Sequence, residues 1–254
     1  MLYEERRDMI LQVLNEKKYT NVTELAEQLH FSESTIRRDL KKLEQERMVY
    51  CSHGGITSNI HPNLETPLQL RLATNRHTKS VIARRAAEMV EDNMIVMMDA
   101  STSVMEMIPY LRSKKNLTII TCCLSTAIQV SELLDCTLIC TGGKYHAPVA
   151  SLVGVSAEAT IKNWFADIMF FSVHSIHAQN GLTDQGEEVA HMKSAMLSQS
   201  RKSVLLADSS KFGQTSSFRI AHAPITHIIT NSDPRFDEDC WQEYRSKMIF
   251  TDSK

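Results

Sequence analysis

The chain reads as α/β, a small helical N-terminal domain followed by a larger layered α/β domain. Three observations predict this. Apolar residues recur at helical spacing up to about residue 47, the texture changes near residue 60, and from Lys79 onward short apolar runs alternate with helix-length segments. The 254 residues, 43% of them apolar, suit one to two domains at about 150 residues each, which excludes disorder as a description of the whole chain. A formal net charge of −2 provides no global field, so any electrostatic partner must meet a local patch. The opening MLYEERRD is charged where a signal peptide needs an apolar core, and no apolar stretch approaches the roughly 18 residues that span a bilayer. A soluble, cytoplasmic protein without a membrane partner is the expectation. Six cysteines form no CxxC pair and read as small buried hydrophobes of a reducing compartment.

In chain order, Ile10, Val13 and Leu14 fit one helix, Leu25, Ala26 and Leu29 a second, and Ile36, Leu40 and Leu43 a third, with no strand before residue 47. Thr23 and Ser32 or Ser34 supply hydroxyls to cap the second and third helices, and only a tight turn fits between them. MVYCS, HGG and ITS then read as two extended pieces around a glycine turn, the shape of a β-wing. Residues 1–56 therefore form a winged helix-turn-helix domain and 57–75 a linker with a short helix near Leu68–Leu72. Residues 76–254 form the α/β domain. Its strand candidates are MIVMM at 94–98, LTII at 117–120, TLIC at 137–140, IMFF at 168–171, SVLLA at 203–207, HII at 227–229 and MIF at 248–250. Helix-length segments such as VMEMIPYL, STAIQVSELL and EEVAHMKSAMLSQ separate most of them, which argues for parallel strands with crossover helices.

The third helix carries the first chemical signal. At 100° per residue, Ile36, Leu40 and Leu43 share one side. Ser34, Arg38, Lys41 and Gln45 share the other, flanked by Thr35, Arg37 and Lys42. Four cations stand against Asp39 alone between residues 34 and 42. An isolated charge run is usually a solvated face, but this one follows a capped helix and a tight turn and precedes a hairpin. That order assigns the face to double-stranded operator DNA, with cations for phosphates and Arg, Ser, Thr and Gln for base edges. The candidate DNA contacts are Thr23, Ser32, Ser34, Thr35, Arg37, Arg38, Lys41, Lys42 and His53. A structural role at the turn is an equal alternative for His53.

The string TELAEQLHFSESTIRRDLKKLE followed by HGG resembles the N-terminal domain of DeoR-family bacterial transcription regulators, whose recognition helix carries a TIRRDL motif, here Thr35–Leu40. The resemblance extends along nearly the whole chain, through DSSKFG at Asp208–Gly213. One departure is Cys51, where family wings place an arginine shortly before the HGG turn.

In open α/β sheets, ligands bind beyond the carboxyl ends of the strands. Small polar residues fall there: Asp99, Ser101, Thr102 and Ser103; Thr121; Thr141, Gly142, Gly143 and Lys144; and Asp208 through Lys211. DASTS before a helix offers hydroxyls and backbone N–H groups for phosphate, while Asp99 suits sugar hydroxyls. Singly, such residues are more often caps, turns and solvated charges. The resemblance implies a C-terminal domain similar to the sugar-phosphate isomerase and CoA-transferase group that senses a phosphorylated sugar. It adds Glu188, Lys193 and Lys211 as effector positions, and DASTS stands where the family reads like DxGTT.

The alternative is a sugar-phosphate isomerase-like enzyme with an appended DNA-binding domain. The stretch 172–181, SVHSIHAQNG, lacks the carboxylates that proton transfer would need, and an Asp99 and Glu188 pair is the residual candidate. His174, His177 and His191 lack a telling ligand spacing, so neither metal nor cofactor is expected. The reading is a non-enzymatic regulator, most readily a repressor of sugar or related carbon metabolism genes. A short half-site per domain requires a homodimer or homotetramer.

Overall fold

The computed structural model describes residues 2–251 except 18, 47, 53, 54, 59–67 and 222–224. His53 and most of the linker expected at 57–75 thus lie outside the described residues. The chain divides into two compact units, Met1–Arg76 and His77–Lys254.

The first unit runs α1 (Tyr3–Lys17), β1 (Tyr19–Thr20), α2 (Val22–Leu29), α3 (Glu33–Gln45), β2 (Val49–Ser52), β3 (Gly55–Ser58) and α4 (Leu68–Ala73). The apolar stripes of α1, α2 and α3 meet in one core, where Ile10, Leu14, Leu25, Ile36 and Leu43 are wholly buried. Each such side chain contributes about 1.5–3 kcal/mol relative to exposure. Between α2 and α3, His30 adopts a left-handed φ of 57°, and the Phe31 N–H donates to the Ala26 carbonyl at 3.0 Å, which closes the tight turn.

Local chemistry departs from expectation in three places. Asn21, not Thr23, caps α2: its backbone is extended and its side chain accepts from the Glu24 N–H at 2.9 Å, leaving Thr23 inside the first turn. β1 pairs antiparallel with β3 and completes a three-stranded sheet of order β1-β3-β2. A two-residue strand has no periodicity to betray it. Residues 57 and 58 belong to β3 rather than to the linker, whereas α4 lies where a short helix was expected near Leu68–Leu72.

The second unit opens with α5 (Arg76–Ala87), β4 (Ile95–Met98), α6 (Thr102–Met105), β5 (Thr118–Thr121), α7 (Leu124–Leu133) and β6 (Thr137–Cys140). It continues through β7 (Lys144–His146), β8 (Ser151–Val153), α8 (Val155–Lys162), β9 (Ala166–Phe171), β10 (Ser175–His177) and β11 (Gly181–Asp184). It ends with α9 (Glu187–Ser198), β12 (Ser200–Leu206), β13 (Phe218–Arg219), β14 (His227–Thr230), α10 (Gln242–Arg245) and β15 (Met248–Phe250).

The seven apolar runs picked out in the sequence are the seven strands of one sheet, β15-β14-β12-β9-β4-β5-β6, parallel at every pairing. Burial on both faces explains why the five inner strands, β14, β12, β9, β4 and β5, read as apolar runs, while the edge strands β6 and β15 are only partly buried. What periodicity did not reveal is short or edge-on: α8, the β7–β8 hairpin, and the antiparallel sheet β10-β11-β13. The stretch 172–181 contains β10 and the turn into β11. The helix expected over VMEMIPYL splits into the single turn of α6 and a 3-10 turn at Ile108–Leu111 entered through Pro109, whose ring cannot donate to a continuing helix.

Candidate nucleic-acid interface and ligand crevice

α3 is built to present one face. Ser32 caps it, accepting from the Thr35 N–H at 3.3 Å, and its hydroxyl also meets Ser34 Oγ at 3.0 Å and Thr35 Oγ1 at 2.8 Å. Asp39, the one acid within the basic run, is turned inward and is 1% exposed. The Arg6 guanidinium grips it from α1 through two bonds, at 2.6 and 3.0 Å. The outer face therefore keeps its four cations undiluted by Asp39. At its margins Arg37 pairs with Glu33 at 3.1 Å, and the Lys42 ammonium lies 4.5 Å from the Tyr3 ring centroid. Arg38 and Lys41 are exposed and make no ion pair among the described residues. Thr23 donates to Glu33 at 2.7 Å, so the start of α2 is tied to the start of α3. The Thr23 and Arg37 hydrogen bonds hold the Glu33 carboxyl below the usual range.

In the second unit, parallel pairing brings the carboxyl ends of β12, β9, β4, β5 and β6 to one edge in that order. Asp99, just past β4, is 1% exposed. One of its oxygens accepts from the Ser101 N–H at 3.0 Å and the other from the Ser172 N–H at 3.1 Å. Lys193 lies 3.5 Å from Asp99 and 2.5 Å from Asp184. The Asp99 oxygens knit the β4 loop to the end of β9, because a carboxylate this buried must be satisfied by the protein. The phosphate cradle expected of DASTS is reduced. The Ser101 N–H is turned to Asp99, and α6 is one turn long, with little dipole to offer.

Of the other expected ligand residues, Thr102, Thr121, Lys144 and Glu188 find partners close by. Lys79 donates to Thr102 Oγ1 at 3.0 Å, and Thr121 Oγ1 accepts from the Cys123 N–H at 3.1 Å. Lys144 and Glu188 pair with each other at 2.7 Å, so Glu188 faces Lys144 while Asp99 lies in a longer ion pair with Lys193. Ser103 is buried. Gly143 has φ +120°, and a Cβ there would lie 2.6 Å from the Val153 carbonyl oxygen. Its lack of a side chain serves the packing of β8, while Gly142 faces open space.

Four hydroxyls mark this edge. Ser101 Oγ, Ser172 Oγ, Thr141 Oγ1 and Thr126 Oγ1 are buried without a hydrogen-bond partner among the described residues. Ser172 follows β9, Ser101 follows β4, Thr141 follows β6, and Thr126 lies in the first turn of α7 after β5. Buried polar groups are nearly always bonded, and each left unsatisfied costs about 1–3 kcal/mol.

Lys211 is aimed by its surroundings. Its ammonium donates to the Val173 carbonyl at 2.5 Å. Its loop is held by Arg235, which donates to the Ser209 carbonyl at 2.9 Å and the Phe212 carbonyl at 3.2 Å and pairs with Asp233 at 2.8 Å. The Arg235 hydrogen bonds hold the Asp233 carboxyl down at about 2. The Phe212 ring packs edge-on against Phe236 and Trp241, with centroids 4.6 and 5.3 Å away.

Sequence reasoning missed Arg6, Glu33, Lys79, Thr126, Ser172, Asp184 and Arg235. Ser172 was within reach, since it directly follows an identified strand. The others announce themselves by no local pattern. His177, weighed as a metal ligand, accepts from the Gln179 and Asn180 N–H groups through Nδ1, at 3.2 and 3.3 Å.

Comparison with known proteins agrees with this division. Residues 6–61 match the DeoR-like helix-turn-helix domain and residues 74–232 the DeoR C-terminal sensor domain. An uncharacterized HTH-type transcriptional regulator of Bacillus subtilis (strain 168), YulB, is 34% identical over 91% of this chain and 90% of its own length. The L-fucose operon activator of Haemophilus influenzae is 31% identical over 94% of this chain and 95% of its own. Among solved structures, ribose 5-phosphate isomerase A from Methanocaldococcus jannaschii is similar with a TM-score of 0.41 and 14% identity, over 55% of each chain. With the sensor-domain model matching more than half of this chain and relatives of nearly full extent named as transcriptional regulators, the chain belongs to the DeoR family of DNA-binding transcription regulators.

Proposed function

We propose that this regulator is a homo-oligomeric repressor of sugar or related carbon metabolism genes, and that a phosphorylated sugar bound at the carboxyl edge of the large sheet releases it from operator DNA. The observation that carries the reading is the row of unpartnered hydroxyls, Ser172, Ser101, Thr126 and Thr141. A polyhydroxylated ligand satisfies such groups, and Lys79 and Lys211, beside the same strand ends, supply charge for its phosphate. On the DNA side, Arg38 and Lys41 neutralise phosphates while Ser34 and Thr35, at the start of α3, reach base edges.

The test is a thermal-shift panel of phosphorylated sugars and their unphosphorylated counterparts, paired with release of a duplex selected by the protein from a randomised pool. A phosphorylated sugar is expected to raise the melting temperature, by stabilisation of about 2.7 kcal/mol at a hundredfold excess over Kd, and to release the duplex. Ser172→Ala with Lys211→Ala should abolish both responses and keep duplex affinity. An unaltered response in that variant, or equal responses to the unphosphorylated sugars, would overturn the proposal.

A further inference from the structure

Glu33 is the acid of the DNA face that the cations of α3 do not explain. It sits in the first turn of the recognition helix, exposed, with one oxygen accepting from the Thr23 hydroxyl at 2.7 Å and the other from Arg37 at 3.1 Å. Both partners are donors of the kind that bind phosphate. A carboxylate at this position costs DNA affinity by its charge and by occupying two donors. In helix-turn-helix docking the N-terminal residues of this helix face base edges, and the base-edge group that a carboxylate accepts from in the major groove is the cytosine N4 amino group.

We propose that Glu33 couples base reading to phosphate contact by partner exchange. On unselected DNA the carboxylate keeps Thr23 and Arg37, so these donors add nothing to phosphate binding. On a duplex that presents a cytosine amino group opposite the start of α3, Glu33 turns to the base, and the freed hydroxyl and guanidinium close on the backbone. Exchange is feasible because the Glu33 and Arg37 pair is solvent-exposed, 44% and 64% by side chain, and such pairs are weak. Glu33 is then a specificity residue that suppresses binding to random sequence.

The experiment uses the full chain with two probes, a random-sequence duplex and the duplex that the wild-type protein selects from a randomised pool. Glu33→Gln should tighten random-duplex binding about two- to fivefold, the range of an exposed pair, and steepen its dependence of log K on log salt by about 0.9, one further phosphate. In an Arg37→Gln background the same substitution should leave that slope where the background sets it, since the released group is then absent. Repeating the selection with Glu33→Gln should lose a cytosine preference at one position of each half-site. An unchanged random-duplex slope in Glu33→Gln, the same steepening with Arg37 already removed, or an unaltered base preference would each overturn the proposal.

Discussion

Arg6 and Asp39 show how a single pair shapes a surface. Had Asp39 faced outward with its neighbours Arg38 and Lys41, it would have weakened the field offered to phosphate. Instead it is almost wholly buried against a guanidinium that is itself 13% exposed. The pair also joins α1 to α3, and the Arg6 guanidinium carbon lies 6.0 Å from the Phe31 ring centroid at the helix-to-helix turn. Removing one member of a buried pair leaves the other charge uncompensated, at about 3–5 kcal/mol. Arg6→Ala is therefore expected to unfold the first unit at markedly lower denaturant, read by far-UV circular dichroism, whereas Arg38→Ala should leave stability within about 0.5 kcal/mol. Equal stability of the two variants would show that the pair does not anchor the helix.

Among the elements, the β7–β8 hairpin depends on one residue for its entry. Gly143 combines a backbone conformation that side chains rarely adopt with contact against β8 and α8: an added Cβ would meet the Val153 carbonyl oxygen at 2.6 Å and the Ala157 Cβ at 3.0 Å. Gly143→Ala should cost about 1–3 kcal/mol as stored backbone strain, measured by thermal unfolding, whereas Gly142→Ala, in open space, should cost much less. A similar loss at both positions would refute close packing as the reason for the glycine. The loop carrying Lys211 is fixed by comparable means, through Arg235 on its carbonyls and the Phe212 ring wedged among Phe236 and Trp241. Trp241 thus helps hold the loop that aims the lysine.

For the whole molecule, regulation is a matter of linkage. An effector alters operator binding only through differential affinity for the arrangements that do and do not bind DNA, and allosteric couplings in general run at about 1–3 kcal/mol, or about 5–150-fold. Reciprocity follows: if a phosphorylated sugar weakens duplex binding by a given factor, saturating duplex must weaken sugar binding by the same factor. Titration calorimetry of the sugar with and without the selected duplex checks this, and sugar affinity indifferent to duplex would exclude a coupled two-site mechanism. On the proposed reading, unsatisfied hydroxyls at the sheet edge carry a cost in stability that a bound ligand would repay, since a crevice satisfied by its own side chains would offer a ligand little to gain.

Periodic burial was legible from the residues alone. Helices α1 to α3 of the first unit, the seven parallel strands of the second, the basic outer face of α3 and the gathering of polar residues at strand ends all follow from apolar spacing, which is a local property. Partner choice was not legible, because hydrogen bonds and ion pairs join residues far apart in the chain: Arg6 with Asp39, Thr23 with Glu33, Asp99 with Ser172 and Lys193. Spacing could nominate Asp99, Lys144 and Lys193 for a ligand, but only folding could reveal that each already has a charged or polar neighbour. The same folding left the side-chain hydroxyls of Ser172 and Thr126 buried without a hydrogen-bond partner among the described residues. Burial sets an electrostatic demand that the nearest available group must meet, and which group is nearest is decided in three dimensions.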